Sequence, residues 1–220
     1  MNMGRYIDKE HGFAIYNAPK GGGTTIRSWI YFAKTGELAL KDEGDGYINQ
    51  TKKTYQLLRE IGYEVCNFIP WLDGPSICIV RDPVDRFMSI YKDKIQKEKK
   101  CGNPPPTISE FVRDFENLVK ANDHPHGANP NLNYLDHHFA PQSLILGTNE
   151  DYFEHIFQMN EINTKLKSYL EDRWRLQLPD LHCRKSAKTN KSTLNEEDLY
   201  IIKDFYRSDF ACDWISRRNP

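Results

Sequence analysis

The stretch Gly12-Phe13-Ala14-Ile15-Tyr16-Asn17-Ala18-Pro19-Lys20-Gly21-Gly22-Gly23-Thr24-Thr25-Ile26-Arg27-Ser28-Trp29-Ile30-Tyr31-Phe32-Ala33-Lys34 decides the fold. Residues Gly12–Asn17 are a short apolar, β-prone run and read as a strand. Ala18–Gly23 cannot continue it, because a proline and consecutive glycines suit neither a helix nor a strand interior; they form a loop. From Thr24 the positions Ile26, Trp29, Ile30 and Ala33 recur at helical spacing. The glycines therefore lie between a strand and a helix N-terminus. Helix amides without intrahelical acceptors, the positive end of the dipole, the Thr24 and Thr25 hydroxyls and the Lys20 charge meet there. Together they make a nest for an anion of phosphate or sulfate type. The competing reading is a plain glycine-rich turn with a solvated lysine.

Residue order narrows the anion. A loop of the GxxxxGK[ST] type places its lysine after the last glycine and a hydroxyl beside it for magnesium, whereas Lys20 precedes the glycines here. No GK[ST] and no GxGxxG occurs in the chain.

A second segment has the same logic. Ser76–Val80 (SICIV) reads as a buried strand that runs into Arg81-Asp82-Pro83 and then a helix over Val84–Lys99. Asp82 suits the N-cap, Pro83 the first helical position, and Asp85 puts negative charge in the first turn. Arg86 and Ser89, three apart, share a helix face, and Arg81 stands at the mouth of the helix. A guanidinium with a serine hydroxyl makes a compact clamp for a terminal phosphate. The alternative is a surface pair between Asp82 and Arg86, with Ser89 incidental.

Elsewhere the pattern predicts strands over Glu64–Ile69, Ser143–Leu146 and His155–Met159. Helices are predicted over Thr54–Ile61, Thr107–Ala121, Glu161–Trp174 and Thr193–Tyr206, the last capped by Thr193 or Asn195. Leu38–Lys53 and Asn122–Asn133 read as loops, and Leu178–Ser192 as irregular and basic. Strands alternating with helices indicate an α/β fold: a three-layer, P-loop-like arrangement with a central, mainly parallel sheet flanked by helices. The 220 residues suit one domain over 1–220.

The 30 basic and 31 acidic residues leave a net charge of −1, which excludes a general nucleic-acid or membrane-surface binder but not a local basic pocket. No stretch approaches the roughly 18 apolar residues that span a bilayer. The N-terminal MNMGRYIDKEHGF lacks the apolar core of a signal peptide. Cys66, Cys78, Cys101, Cys183 and Cys212 are odd in number and form no CxxC pair, so reduced thiols in a cytoplasm are expected.

Taken together, NAPKGGGTTIRSW and IVRDPVDRFMSIY resemble the two cofactor-binding signatures of sulfotransferases that use 3′-phosphoadenosine 5′-phosphosulfate (PAPS), most closely the carbohydrate sulfotransferase branch. The resemblance is anchored over residues 13–93, and Tyr206, Asp209 and Phe210 in FYRSDFACDW resemble the branch's closing segment more weakly. It implies that Gly21, Gly22, Gly23, Thr24 and Thr25 cradle the 5′-phosphosulfate and that Lys20 sits near the bridging oxygen. Arg81 and Ser89 then grip the 3′-phosphate, and adenosine 3′,5′-bisphosphate (PAP) is the product. The basic residues Arg184–Lys191 either fold over the nucleotide or form a solvated loop.

Sulfuryl transfer needs a group that takes the acceptor's proton and one that neutralises the leaving oxygen. Lys20 suits the second task. For the first, Tyr134-Leu135-Asp136-His137-His138-Phe139-Ala140-Pro141-Gln142 resembles a segment in which a histidine followed by an aromatic lies near the acceptor. His138 is favoured as base and His137 is second; a polar loop without chemistry is the competing reading, and Glu43 or Glu161 are outside candidates. His124, His126, His137 and His138 match no zinc spacing, so no metal is expected. The acceptor is expected to be a small-molecule or glycan hydroxyl, and neither nucleic acid nor a membrane span enters. A P-loop kinase-like phosphotransferase and a non-catalytic nucleotide-binding relative are the rival readings.

Overall fold

A computed structural model describes residues 3–37, 56, 58–66, 74–120, 138–181 and 194–216. The principal elements in chain order are β1 (Met3–Asp8), β2 (Phe13–Asn17), α1 (Gly23–Thr35), β3 (Tyr63–Cys66), β4 (Ser76–Val80) and α2 (Pro83–Ile90). After these come α3 (Ile108–Lys120), α4 (Gln142–Leu146), β5 (His155–Gln158), α5 (Lys167–Trp174), α6 (Glu196–Phe205), α7 (Arg207–Phe210) and α8 (Asp213–Ser216). Two compact units emerge: a sheet unit from Asn2–Val80 and Asn149–Lys185, and a helical unit from Arg81–Thr148 and Ser186–Pro220. No described helix is long and apolar enough to cross a membrane.

In the sheet unit the strand order is β3-β1-β2-β4-β5. β4 pairs in parallel with β2 and with β5, while β1 lies antiparallel to β2 and β3, so only β1 opposes the common direction. β1 has no counterpart in the sequence reading. Its MGRYID run is held by partners on both sides, with Tyr6 opposite both Ile15 and Tyr63. Ile15, Ile77, Ile79 and Phe157 share a core with Ile26, Trp29 and Ile30 of α1 and with Leu170 and Trp174 of α5. Ala14, Tyr16, Cys78 and Val80, which alternate with them along the strands, are also fully buried. Burial on both faces is why SICIV is a continuous apolar run rather than an alternating one. Burial also pushes the Cys78 thiol well above its ordinary range.

A buried carboxylate ties the sheet to α5. Trp174 Nε1 donates to Asp8 Oδ2 at 2.7 Å, and the main-chain N–H groups of Glu10 and His11 both donate to Oδ1 at 3.1 Å. Burial acts to raise the Asp8 carboxyl. The Trp174 indole, the His11 amide and ring and the Lys34 charge outweigh it and hold the group below the usual aspartate range.

In the helical unit, Asp82 Oδ1 accepts from Asp85 N–H at 2.9 Å and Pro83 opens α2, as the sequence predicts. The predicted single helix Val84–Lys99 is α2 followed by a π-wound stretch, Tyr91–Lys97. Phe87, Phe111, Phe115, Phe139 and Tyr206 form the core of this unit, and the Phe139 ring centroid lies 5.3, 5.5 and 5.1 Å from those of Phe87, Phe111 and Phe115. Aromatic packing of this kind buries large apolar area.

One expectation is overturned: Ser143–Leu146 is not a strand but most of helix α4. The amides of Gln142 and Ser143, at its first turn, donate to Asp209 Oδ2 and Oδ1 at 2.9 and 2.7 Å. A carboxylate distant in sequence thus caps the helix, and SLIL, which reads locally as a buried strand, is wound instead. Asn195 caps α6, accepting from Asp198 N–H at 2.8 Å. Of the predicted Thr54–Ile61 helix only Gln56 and residues 58–60 are described as helical. The strand predicted over Glu64–Ile69 is observed as β3, and its residues 67–69 lie outside the described residues.

Replacing Trp174 with Phe keeps an apolar ring but removes the donor to Asp8. The variant is expected to lose about 1.5–3 kcal/mol in urea unfolding near neutral pH. Because the folded Asp8 titrates below its unfolded value of about 3.9, this stabilisation is complete above that pH. It disappears as pH falls through the folded value, so the gap between wild type and Trp174→Phe narrows in acid.

Candidate anion-binding segments

The first segment lies wholly in the sheet unit, at the carboxyl end of β2. Gly21 N–H donates to Ala18 C=O at 2.9 Å, closing a four-residue turn with Pro19 second and Lys20 third. Lys20 has φ 66, the left-handed region in which such a turn normally places glycine. Lys20 thus holds a strained backbone conformation within a phosphate-suited loop, the kind of strain that clusters at functional sites. A Cβ at Gly21 would lie 2.9 Å from Ala18 O and 3.3 Å from Ile79 O, both main-chain atoms that cannot swing away. Gly22 (φ 78) is the N-cap of α1, and a Cβ there would strike Ile162 Cδ1 at 2.2 Å.

The α1 N-terminus is left chemically open. Its first intrahelical bond runs from Ile26 N–H to Gly22 C=O at 3.1 Å, and no side chain caps it. Helix geometry therefore leaves the amides of Gly23, Thr24 and Thr25 without an intrahelical acceptor. Among the described residues the Thr24 and Thr25 hydroxyls take no hydrogen-bond partner, although Thr25 is buried. An anion with several oxygens fits this donor set.

The second segment lies in the helical unit and is built differently. Asp82 already caps α2, so the helix end is satisfied and side chains must do any binding. Partial burial pulls the Arg81 guanidinium below the ordinary arginine range, a shift opposed by Asp85 and Asp82 and reinforced by Arg86. Ser89 is buried, and its hydroxyl takes no partner among the described residues. Arg86, predicted to share this face, is fully buried and is not half of a solvated surface pair. Its Nη2 donates to His138 C=O and to Ala140 C=O at 2.7 Å each, and its guanidinium lies 5.7 Å from the Tyr206 ring centroid.

The histidine segment is fastened to this same region. Gln142 Oε1 accepts from Arg81 N–H at 3.0 Å, and Gln142 Nε2 donates to Arg81 C=O at 2.7 Å. Tyr206 O–H donates to Phe139 C=O at 2.7 Å, and burial pushes that phenol above its ordinary range. His138 is half-buried beside the wholly buried Phe139, whose ring plugs the aromatic core. His137 and Glu43 lie outside the described residues, as do His124, His126 and the stretch from Arg184 to Lys191.

The structure thus gathers Lys20 with Gly21–Thr25 in one unit, and Arg81 and Ser89 with the His138 segment in the other. Glu161 is occupied elsewhere: its carboxylate accepts from Gln158 N–H at 2.9 Å and from Lys165 Nζ at 2.5 Å. Burial acts to raise it, but those partners hold it below the usual glutamate range, which disfavours it as a base. Gln142 has no signal in the sequence beyond its place after His138-Phe139-Ala140-Pro141. Tyr206 and Asp209 stand in the closing segment of the resemblance, and their hydrogen-bond partners are not legible there.

The model of the sulfotransferase family matches residues 5–212, and the chain belongs to that family, whose shared chemistry is sulfuryl transfer. No curated protein and no solved structure matches the chain.

At the φ of residue 20 glycine is unstrained, whereas alanine bears the same left-handed strain that lysine bears. Lys20→Gly is expected to be more stable than Lys20→Ala by about 1 kcal/mol in chemical denaturation.

Proposed function

We propose that this protein transfers a sulfuryl group from PAPS to a hydroxyl acceptor, and that residues 1–220 act as one sulfotransferase domain. The observation that carries the reading is the in-register parallel pairing of β2 with β4, Asn17 opposite Ile79. Both candidate segments leave directly from the carboxyl ends of these neighbouring strands, where ligands bind in sheets of this class.

In this reading the amides of Gly23, Thr24 and Thr25, with the threonine hydroxyls and Gly21–Gly22, hold the 5′-phosphosulfate. Arg81 and Ser89 hold the 3′-phosphate, the arginine through charged, directional hydrogen bonds. The acceptor oxygen forms its bond to sulfur as the sulfur–oxygen bond to the 5′-phosphate breaks, and PAP departs. Lys20 neutralises charge growing on the leaving oxygen, and His138 takes the acceptor's proton, with His137 second in line. The resemblance to the carbohydrate branch favours a sugar hydroxyl as acceptor.

A thermal-shift titration tests the donor directly. PAP should raise the melting temperature without magnesium and should do so more than ATP with magnesium; the reverse order would indicate a kinase-like protein. Lys20→Ala should remain folded, still respond to PAP, and lose transfer of labelled sulfate from PAPS to an oligosaccharide panel. Near-normal turnover in that variant would remove Lys20 from the catalytic machinery.

A further inference from the structure

Gln142 is fully buried, yet both ends of its side-chain amide are spent on the main chain of a single residue. Oε1 receives Arg81 N–H at 3.0 Å, and Nε2 gives its hydrogen to Arg81 C=O at 2.7 Å. This is the pairing a neighbouring strand would offer, delivered by one side chain. Reversing the amide would set donor against donor and acceptor against acceptor, so its orientation is dictated by its partners.

Gln142 is itself anchored. Its N–H donates to Asp209 Oδ2 at 2.9 Å, while the Ser143 N–H and hydroxyl donate to Oδ1 at 2.7 and 2.8 Å. Asp209 is fully buried. On the other side, Arg86 holds the carbonyls of residues 138 and 140 at 2.7 Å. The stretch 138–143 is therefore fixed on both sides of the amide and cannot follow Arg81 if that residue moves.

An arginine grips a phosphate through a planar fork, whose value depends on the direction from which it arrives. We propose that Gln142 is a positioning residue for Arg81: by fixing the main chain of residue 81 it aims the guanidinium at the 3′-phosphate. It thereby sets the enzyme's discrimination between adenosine nucleotides with and without that phosphate. The inference rests on the assignment of Arg81 to the 3′-phosphate above. It also ties the segment bearing His138 to the residues that hold the donor.

The test is direct binding of PAP and of adenosine 5′-phosphate, which lacks the 3′-phosphate, by calorimetry on the full chain. Wild type should prefer PAP. Gln142→Ala and the isosteric Gln142→Glu should each weaken PAP by about tenfold near neutral pH and leave adenosine 5′-phosphate unchanged. At neutral pH the introduced carboxylate can only accept, and so opposes Arg81 C=O. Once protonated it regains one donor and one acceptor. PAP preference in Gln142→Glu, taken as a ratio to wild type at each pH, should therefore recover on acidification. In the Arg81→Ala background, Gln142→Ala should cost no further PAP affinity, because its effect passes through that guanidinium.

Equal weakening of both nucleotides, unchanged PAP affinity, or additive losses with Arg81→Ala would overturn the proposal. If Gln142→Ala does not fold, the Gln142→Glu pH series decides. If wild type shows no preference for PAP, the assignment of Arg81 fails and this inference with it. If Arg81→Ala abolishes the preference and the Gln142 variants keep it, only the role of Gln142 falls.

Discussion

Parallel pairing of β2 with β4 is the constraint on which the rest depends. Parallel neighbours finish at the same edge, so the chain leaves both strands on one side of the sheet. The chain leaves β2 in a turn so close to the end of β4 that Gly21 has main-chain oxygens where a side chain would go. It leaves β4 at Arg81. A sheet in which β4 ran the other way would send its arginine to the opposite edge, and no local adjustment of the glycines could compensate.

The two helix starts solve opposite problems. α2 carries its own capping carboxylate in Asp82, which removes the need for an outside anion and leaves the work to side chains. α1 begins at Gly22 with no capping side chain, so its first amides keep their full appetite for negative charge. The helical unit then uses buried charge as scaffolding. Arg86 and Asp209, both fully buried, are directed at main-chain groups, and each fastens a segment that local sequence preference leaves undetermined. Such groups are costly to bury and far more costly to leave half-paired, which makes them effective at selecting one arrangement.

The features legible in the sequence were those written in neighbouring residues. Glycines after an apolar run, a proline behind Asp82 and the 3.6-residue period of Ile26, Trp29 and Ile30 act over a few positions, and the turn, the cap and α1 came out as expected. β1 is not legible because MGRYID has a weak pattern of its own and pairs as a strand between β2 and β3. SLIL misled because its winding is decided by Asp209. The π-wound continuation of α2 has no recognisable local signature. The role of Gln142 is a side chain reading a backbone across 61 positions, which no periodicity records. The turn, the cap and the strand ends that carry the candidate residues are legible in the sequence; the hydrogen bonds around Gln142 and Asp209 are not.

The Cys78 thiol sits in β4, between β2 and β5, with no solvent exposure, and burial keeps it protonated. A protonated, enclosed sulfur cannot be alkylated from the native state, since the thiolate is the nucleophile and the reagent has no approach. Its modification is therefore a clock that advances only when the packing around β4 opens. Ligand-induced slowing of that clock would report how firmly this strand is clamped, with no engineered probe added.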